Sequence, residues 1–545
     1  MFEFTRREIL QATAIAAVVV AISSVPYLLG YLSAAPGTEF GGFVIDLDDS
    51  RCHLAKMQQG AWDGWRYRIL FTPEDHPGAY LNTFYIALGK LSALLRLPLI
   101  ATYQLARLVA GLAMLVCAYL FISVFLQTRE GRLTAYLLVC FSSGLGWLVL
   151  LLTRSSTLLG LSPMDFWLME AYTFFTLLTF PHSSAAVALL LAFFLLALRY
   201  LATFRFGTLL WSALTVLCLC VIHPFMALVV DVALGVYWTL ILLIRRRIPR
   251  REFLAILTWA LTPLPLIAYY LWAFASDPVF GYWSAQNILP TPPLIHLLLG
   301  YGLVLLLAIF GAIRVIRQRN ERQLFLVAWA SSALLLAYAP IAIQRRMVEG
   351  LHVPLCILAT IGLLELLLPA LAESDWLARF ARWRGYRREG LRRFLVFSAI
   401  MATFPSSLYL LASASSMALG QHSALFHKLH EVEAIDWFKD NTERTDTVLA
   451  SYDIGGLIPA RTGNRVFMGH FIETVQLERK RELAASFFQA DISDDFRRAL
   501  LTEYGIHYVF HGPAERQLGD FDPSTFDYLT PAYRNPEVTI YRVGS

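Results

Sequence analysis

ILQATAIAAVVVAISSVPYLLGYL (Ile9–Leu32), followed after a short loop by FVIDLDDSRCHLAKMQQG (Phe43–Gly60), is the stretch on which the fold turns. The first segment holds about 24 residues without a charge, and at ~1.5 Å per residue a helix of that length crosses a ~30 Å hydrocarbon core. The second segment carries three carboxylates, Asp46, Asp48 and Asp49, just past the membrane face. Carboxylates held there are costly to desolvate and can serve as bases or hold cations. A solvated acidic loop is the plainer reading, and the aspartates by themselves do not choose between the two.

The rest of the chain supports the membrane reading. Of 545 residues, 57% are hydrophobic and only 16% are charged, against ~25% charged in soluble domains. The net charge of +5 is no nucleic-acid footprint, because the basic residues sit in short loops between apolar spans. Five of the six cysteines fall inside apolar spans, so neither a disulfide framework nor a metal spacing is present. Arg6 and Arg7 precede an apolar run too long for a cleaved leader, which reads as a retained span.

Hydropathy predicts about eleven spans, near 9–32, 99–126, 133–153, 183–201, 207–222, 225–244, 252–275, 294–313, 323–343, 350–370 and 394–416. The less apolar stretches 77–97 and 163–181 read as helices lying along the interface, with PMDFWLMEAYTFF (163–175) as an aromatic belt. Arginines mark one side: Arg129/Arg132, Arg199/Arg205, RRRIPRR at 245–251, the segment 314–322, and WLARFARWRGYRREGLRR within 373–393. The opposite loops 223–224 and 276–293 contain no Lys or Arg. The positive-inside bias then places the N-terminus inside and the polar tail 417–545 outside.

That tail alternates helix and short apolar strand. EVEAIDWFKDNT (431–442) reads as a helix, and DTVLASY, RVFMG, IHYVFHG and VTIYRV read as strands. The pattern predicts an α/β layer with a mainly parallel sheet. GNRVFMG lacks the spacing of a phosphate-binding glycine loop.

Four groups of residues could carry chemistry on the expected outer face. They are Asp46/Asp48/Asp49; Glu74, Asp75 and His76 in TPEDHPGAY; Asp165, Glu170 and His182 in the second loop; and Arg345, Arg346 and Glu349 in IQRRMVEGLHVP. The two arginines stand on the wrong side of the charge rule. Guanidinium geometry matches a phosphate or pyrophosphate; pairing with Glu349 or a lipid headgroup is the alternative. A histidine at position 182 or 223 is more simply an interface or helix-turn residue, and Glu170 serves equally as a catalytic partner or a helix-face pair.

A first span, an outer loop with the acidic pair Asp48–Asp49, and the helix HLAKMQQG that follows together resemble the GT-C superfamily of membrane glycosyltransferases. That superfamily includes dolichyl- and undecaprenyl-phosphate-sugar-dependent enzymes, protein mannosyltransferases, aminoarabinose transferases and the oligosaccharyltransferase catalytic subunit. The match is with a bacterial, dolichyl-phosphate-mannose-transferase-like core. It departs in having Asp for the usual Glu, and Cys52 or His53 where Tyr is common. The polar tail resembles the outer domains of many such enzymes.

The resemblance implies a polytopic α-helical membrane protein. Residues 1–416 would form a transmembrane glycosyltransferase core with outer loops 33–98 and 154–182, and 417–545 a C-terminal extracytoplasmic α/β domain. The protein would reside in the cytoplasmic membrane, among its lipids. It implies transfer of a sugar from a polyprenyl-phosphate donor to an extracytoplasmic glycan, lipid or protein acceptor, without nucleic acid. Asp49 would be the general base, with Asp48 or Asp46 as a helper or cation ligand. Arg345 and Arg346 would hold the donor phosphate, and Glu170, His182, Glu74 and His76 would be partners from the loops. If a divalent cation such as Mg or Mn takes part, Asp48 and Asp49 would hold it.

A transporter or flippase of lipid-linked saccharides would also want outward arginines. It would be expected to carry intramembrane charges and internal repeats, which are scarce or lacking here. A non-catalytic envelope assembly protein whose tail binds a partner is the third reading.

Overall fold

The computed structural model describes residues 5–374, 379, 384 and 387–544. Residues 375–378, 380–383 and 385–386 of the basic segment 373–393, expected as a cytoplasmic loop, lie outside the described residues. The chain divides into two compact units: residues 1–25, 107–267 and 288–413 form the first, and 26–106, 268–287 and 414–545 form the second. The first outer loop thus belongs with the C-terminal tail.

This is a polytopic helical membrane protein. Among the described residues, seven helices are long and apolar enough to span a bilayer, and nine if each of two bent pairs counts as one span. The bent pairs are Arg129–Phe141 with Gly146–Thr153, and Glu389–Thr403 with Pro405–Leu419, at 54° and 46°. Pro405 accounts for the second bend, because it lacks the amide proton and crowds the preceding turn. The remaining two expected spans are the helices Phe206–Ile222 and Glu321–Leu336, 17 and 16 residues long.

The first unit is packed around aromatic rings. Phe194 and Phe121 lie 4.7 and 5.7 Å from Trp329, centroid to centroid, and all three are fully buried. The stretch 163–181 is not an interfacial helix. It is two single 3-10 turns, Met164–Phe166 and Met169–Ala171, and a six-residue helix, Thr173–Leu178. Its side chains Met164, Tyr172, Phe174, Phe175 and Leu178 are buried rather than forming a belt. An interface helix needs a wet face, and Thr173–Leu178 has none, since all six residues are buried.

The second unit is built on strands drawn from both ends of the chain. β1 (Thr38–Phe40) pairs antiparallel with β2 (Phe426–Lys428). β3 (Thr447–Leu449), β4 (Arg465–Val466), β5 (Ile506–His511), β6 (Leu529–Arg534) and β7 (Thr539–Val543) form one sheet in the order β4-β3-β5-β7-β6. β3 runs parallel to β4 and β5, whereas β7 is antiparallel to both β5 and β6. The sheet is therefore mixed, not mainly parallel. The cause is the closing hairpin β6–β7, whose first strand contains Pro531; a proline is tolerated there because β6 is an edge.

Side chains alternate across this sheet as strand geometry demands. Val448, Tyr508, Phe510 and Ile540 enter one apolar cluster, which also takes in Cys52, Ala55, Leu70 and Phe71 from the first outer loop. Leu449, Val509 and Tyr541 enter the other, with Phe487, Leu500 and Phe521. The helix Leu47–Trp62 thus helps cover one face of a sheet made almost 400 residues later in the chain.

Candidate active site

The acidic triplet opens the helix Leu47–Trp62. Asp48 and Asp49 occupy its first turn, where carboxylates favour the positive end of the helix dipole. Asp46 precedes it at φ 52° and is exposed. From Asp49 the helix presents a stripe, Asp49, Cys52 and Lys56, at i, i+3 and i+7, which share one face.

That face meets a loop from the tail, residues 469–474. Gly469 fits against Gly455, where an added Cβ would fall 2.3 Å from the Gly455 backbone. The γ-hydroxyl of Thr474 accepts from the N–H groups of Gly469 and His470, both at 3.2 Å. So held, His470 puts Nε2 3.1 Å from Oδ1 of Asp49. Its Nδ1 faces the backbone N–H groups of Ile472 at 3.3 Å and Glu473 at 3.1 Å. Both are obligate donors, so Nδ1 accepts and Nε2 carries the proton. The Asp49 carboxylate therefore receives an N–H on Oδ1. His470 is almost wholly buried while the Asp49 side chain is 34% exposed.

Around this pair the charges are matched. Lys56 Nζ lies 3.1 Å from Oε1 of Glu473, and the Tyr67 hydroxyl donates to Oε2 at 2.5 Å. Burial works against both ions. For Glu473, the Lys56 charge and the hydrogen bonds from Tyr67 and Cys52 together outweigh it and hold the carboxyl below its usual range. For Lys56, the charge and hydrogen bond of Glu473, with the Cys52 sulfur as a further acceptor, together outweigh it and hold the ammonium above its usual range. Burial drives the Cys52 thiol up, so it stays protonated. Asp48 accepts from the Tyr452 hydroxyl at 2.9 Å and lies 3.8 Å from Arg51.

Glu74 and His76 are braces in the same unit. Glu74 pairs with Lys480 at 2.7 Å and accepts from Thr72. Burial lowers the Lys480 ammonium to about 8. His76 accepts from Ile69 N–H through Nε2 at 2.9 Å and donates from Nδ1 to the Glu74 carbonyl at 3.0 Å. Burial lowers its pKa, and both ring nitrogens are committed.

The other expected residues lie in the first unit. Arg345 and Arg346 sit on the 3-10 turn Gln344–Val348, their guanidiniums 5.5 Å from the Trp167 ring and 5.6 Å from the Phe225 ring. The Nε of each is buried without a hydrogen-bond partner among the described residues. Glu349 does not pair with either arginine; it lies 2.9 Å from Nδ1 of His223, whose ring meets that of His182 edge-on at 5.0 Å. Glu170 is half-buried. Asp165 is fully buried and accepts from Gly146 N–H at 3.0 Å. Burial raises its carboxyl to about 6.

No group of three or more His, Cys, Asp or Glu side chains able to hold a metal exists among the described residues. At Asp49 the donor set fails for a further reason: Nε2 of His470 presents a proton, not a lone pair. A resident cation does not fit this site.

His470, Glu473 and Tyr452 escaped the sequence reading. MGHFIET carries no motif, and its partners lie about 400 residues away. The only local sign is Gly469, a position where the chain can approach another backbone closely.

No protein-family model and no curated protein matches the sequence. Solved structures do. The oligosaccharyltransferase of Archaeoglobus fulgidus in its apo form matches with a TM-score of 0.57 at 13% identity, over 94% of this chain and 70% of that one. ArnT from Cupriavidus metallidurans, bound to undecaprenyl phosphate, matches with a TM-score of 0.53 at 10% identity, over 96% and 97%. The arabinofuranosyltransferase AftD from Mycobacteria, in a mutant form, matches with a TM-score of 0.52 at 18% identity, over 99% of this chain and 42% of that one. At these identities the likeness is one of fold.

Proposed function

We propose that this chain, which has the GT-C fold of membrane glycosyltransferases, transfers a sugar from a polyprenyl-phosphate carrier to an acceptor outside the cytoplasmic membrane. The C-terminal domain lies on that outer side. The carrier chemistry is suggested by two structures of the same fold: the Archaeoglobus oligosaccharyltransferase in complex with a dolichol-phosphate, and ArnT bound to undecaprenyl phosphate.

Asp49 is the general base. An acceptor hydroxyl oxygen bonds to the anomeric carbon as the bond from that carbon to the phosphate oxygen breaks. The hydroxyl proton passes to Asp49, and polyprenyl phosphate leaves with the electron pair. Attack from the face opposite the phosphate inverts the anomeric centre. In the first unit, Arg345 and Arg346 bind the phosphate of the lipid carrier; their unpartnered Nε groups are the kind of buried donor that a ligand satisfies.

One observation carries the reading. Asp49 is a carboxylate with one oxygen held by a buried N–H and a third of its side chain open, as a base awaiting a substrate proton requires. The test is Asp49→Asn, followed by release of polyprenyl phosphate from membranes supplied with the lipid-linked sugar. Turnover should fall by ~10²-fold or more, with donor binding unchanged. Wild-type turnover in that variant removes Asp49 as the base.

A further inference from the structure

The loop His470–Glu473 belongs to the C-terminal domain, yet it touches the helix of the first outer loop at two points. His470 meets Asp49 and Glu473 meets Lys56. Asp49 and Lys56 are seven residues apart, so they lie on one face about two turns from each other. The two partners are three residues apart in the loop, and the same backbone N–H that belongs to Glu473 also binds Nδ1 of His470. The buried Lys56–Glu473 pair therefore anchors the peptide unit that sets the histidine's tautomer.

We propose that His470 is a positioning residue for the transfer reaction. It acts through Asp49 by donating Nε2–H to Oδ1 at 3.1 Å, which fixes the rotation of the carboxylate. The inference rests on Asp49 being the base proposed above. A freely rotating carboxylate would present either oxygen in many orientations. One held by a tautomer-fixed donor keeps a single orientation, and orientation of this kind acts on the rate of the chemical step rather than on donor binding. This role makes the C-terminal domain part of the catalytic apparatus.

The test compares Asp49→Asn, His470→Ala and His470→Gln in the full-length protein. Gln places an amide N–H near the position of Nε2 and can donate to Asp49, whereas Ala cannot. His470→Ala is expected to lower kcat by about 10–100-fold, the cost seen when a hydrogen-bonded partner that orients a metal ligand is lost. KM for the lipid-linked donor should stay within about twofold, because a lost orientation acts on the chemical step. His470→Gln is expected to recover most of that loss. Thermal midpoints of both variants in detergent report whether the loop has kept its fold.

The proposal is overturned if His470→Ala turns over normally, if its defect lies in KM alone, or if Ala and Gln are equally impaired at equal stability. The last result would assign the histidine to packing against Phe71, whose ring centroid lies 5.5 Å from that of His470. The two readings separate cleanly. An inactive Asp49→Asn beside a normal His470→Ala leaves the base in place and removes the positioning role. A fully active Asp49→Asn removes both.

Discussion

Nε2 of His470 stands 3.1 Å from Oδ1 of Asp49, although 421 positions separate them in the chain. The contact joins the first outer loop to the C-terminal domain inside one compact unit. Beside it lies the buried pair Lys56–Glu473, whose side chains are 6% and 2% exposed.

Breaking that pair from one side should cost more than removing it whole. An uncompensated buried charge is worth ~3–5 kcal/mol, whereas an apolar replacement of both partners is often near neutral. Lys56→Met and Glu473→Leu should each lower the thermal midpoint strongly, and the double variant should be more stable than either. Additive losses in the double variant would show that the two side chains do not depend on each other.

Lys480 gives the stability a pH dependence. Its folded pKa is depressed to about 8 by burial, against ~10.4 in an unfolded chain. Between these values the unfolded state binds more protons, so stability rises with pH across that window. The contribution is complete above ~10.4 and is lost as pH falls through about 8; its ceiling is about 3 kcal/mol. Thermal midpoints at pH 7.5 and pH 9.5 should therefore move less favourably with pH in Lys480→Met than in the wild type. Parallel shifts in both proteins would rule the lysine out as the source.

Arg345→Ala and Arg346→Ala should weaken binding of polyprenyl phosphate far more than Arg317→Ala. Loss of one partner in a buried charge-assisted contact costs ~2–5 kcal/mol. Tryptophan quenching or isothermal titration with a short-chain polyprenyl phosphate would measure it. Equal effects at all three arginines would withdraw the phosphate role.

Asp165 is read as structural, because its carboxylate accepts the Gly146 N–H at 3.0 Å. Asp165→Asn keeps an acceptor and should keep turnover within about threefold, while Asp165→Ala leaves a buried N–H unpaired at ~1–3 kcal/mol. A dead but well-folded Asp165→Asn would move the search for a base to the second loop.

The expected orientation can be read with a thiol label. In a chain whose six native cysteines are replaced, Asp527→Cys, at a side chain 91% exposed in the tail, should react with an impermeant maleimide in intact cells. Labelling only after the membrane is opened would place the C-terminal domain inside and overturn the site assignments with it.

Sequence alone determined what is local. Long uncharged runs are membrane spans because hydropathy sums over neighbours. Asp48 and Asp49 open a helix because carboxylates suit a first turn, and the tail alternates helix and strand because its apolar periods do. Edge strand β6 was not legible, since Pro531 argues against a strand until the hairpin places it at an edge. The stretch 163–181 looked interfacial because its aromatics suit either a belt or a core, and composition does not distinguish them. Only tertiary structure decided the partners. His470 finds Asp49, Glu473 finds Lys56, and Glu349 finds His223 rather than an arginine. Each of these contacts requires distant segments to be packed to within ~3 Å, and such a contact leaves no periodicity or spacing in the chain from which it could be read.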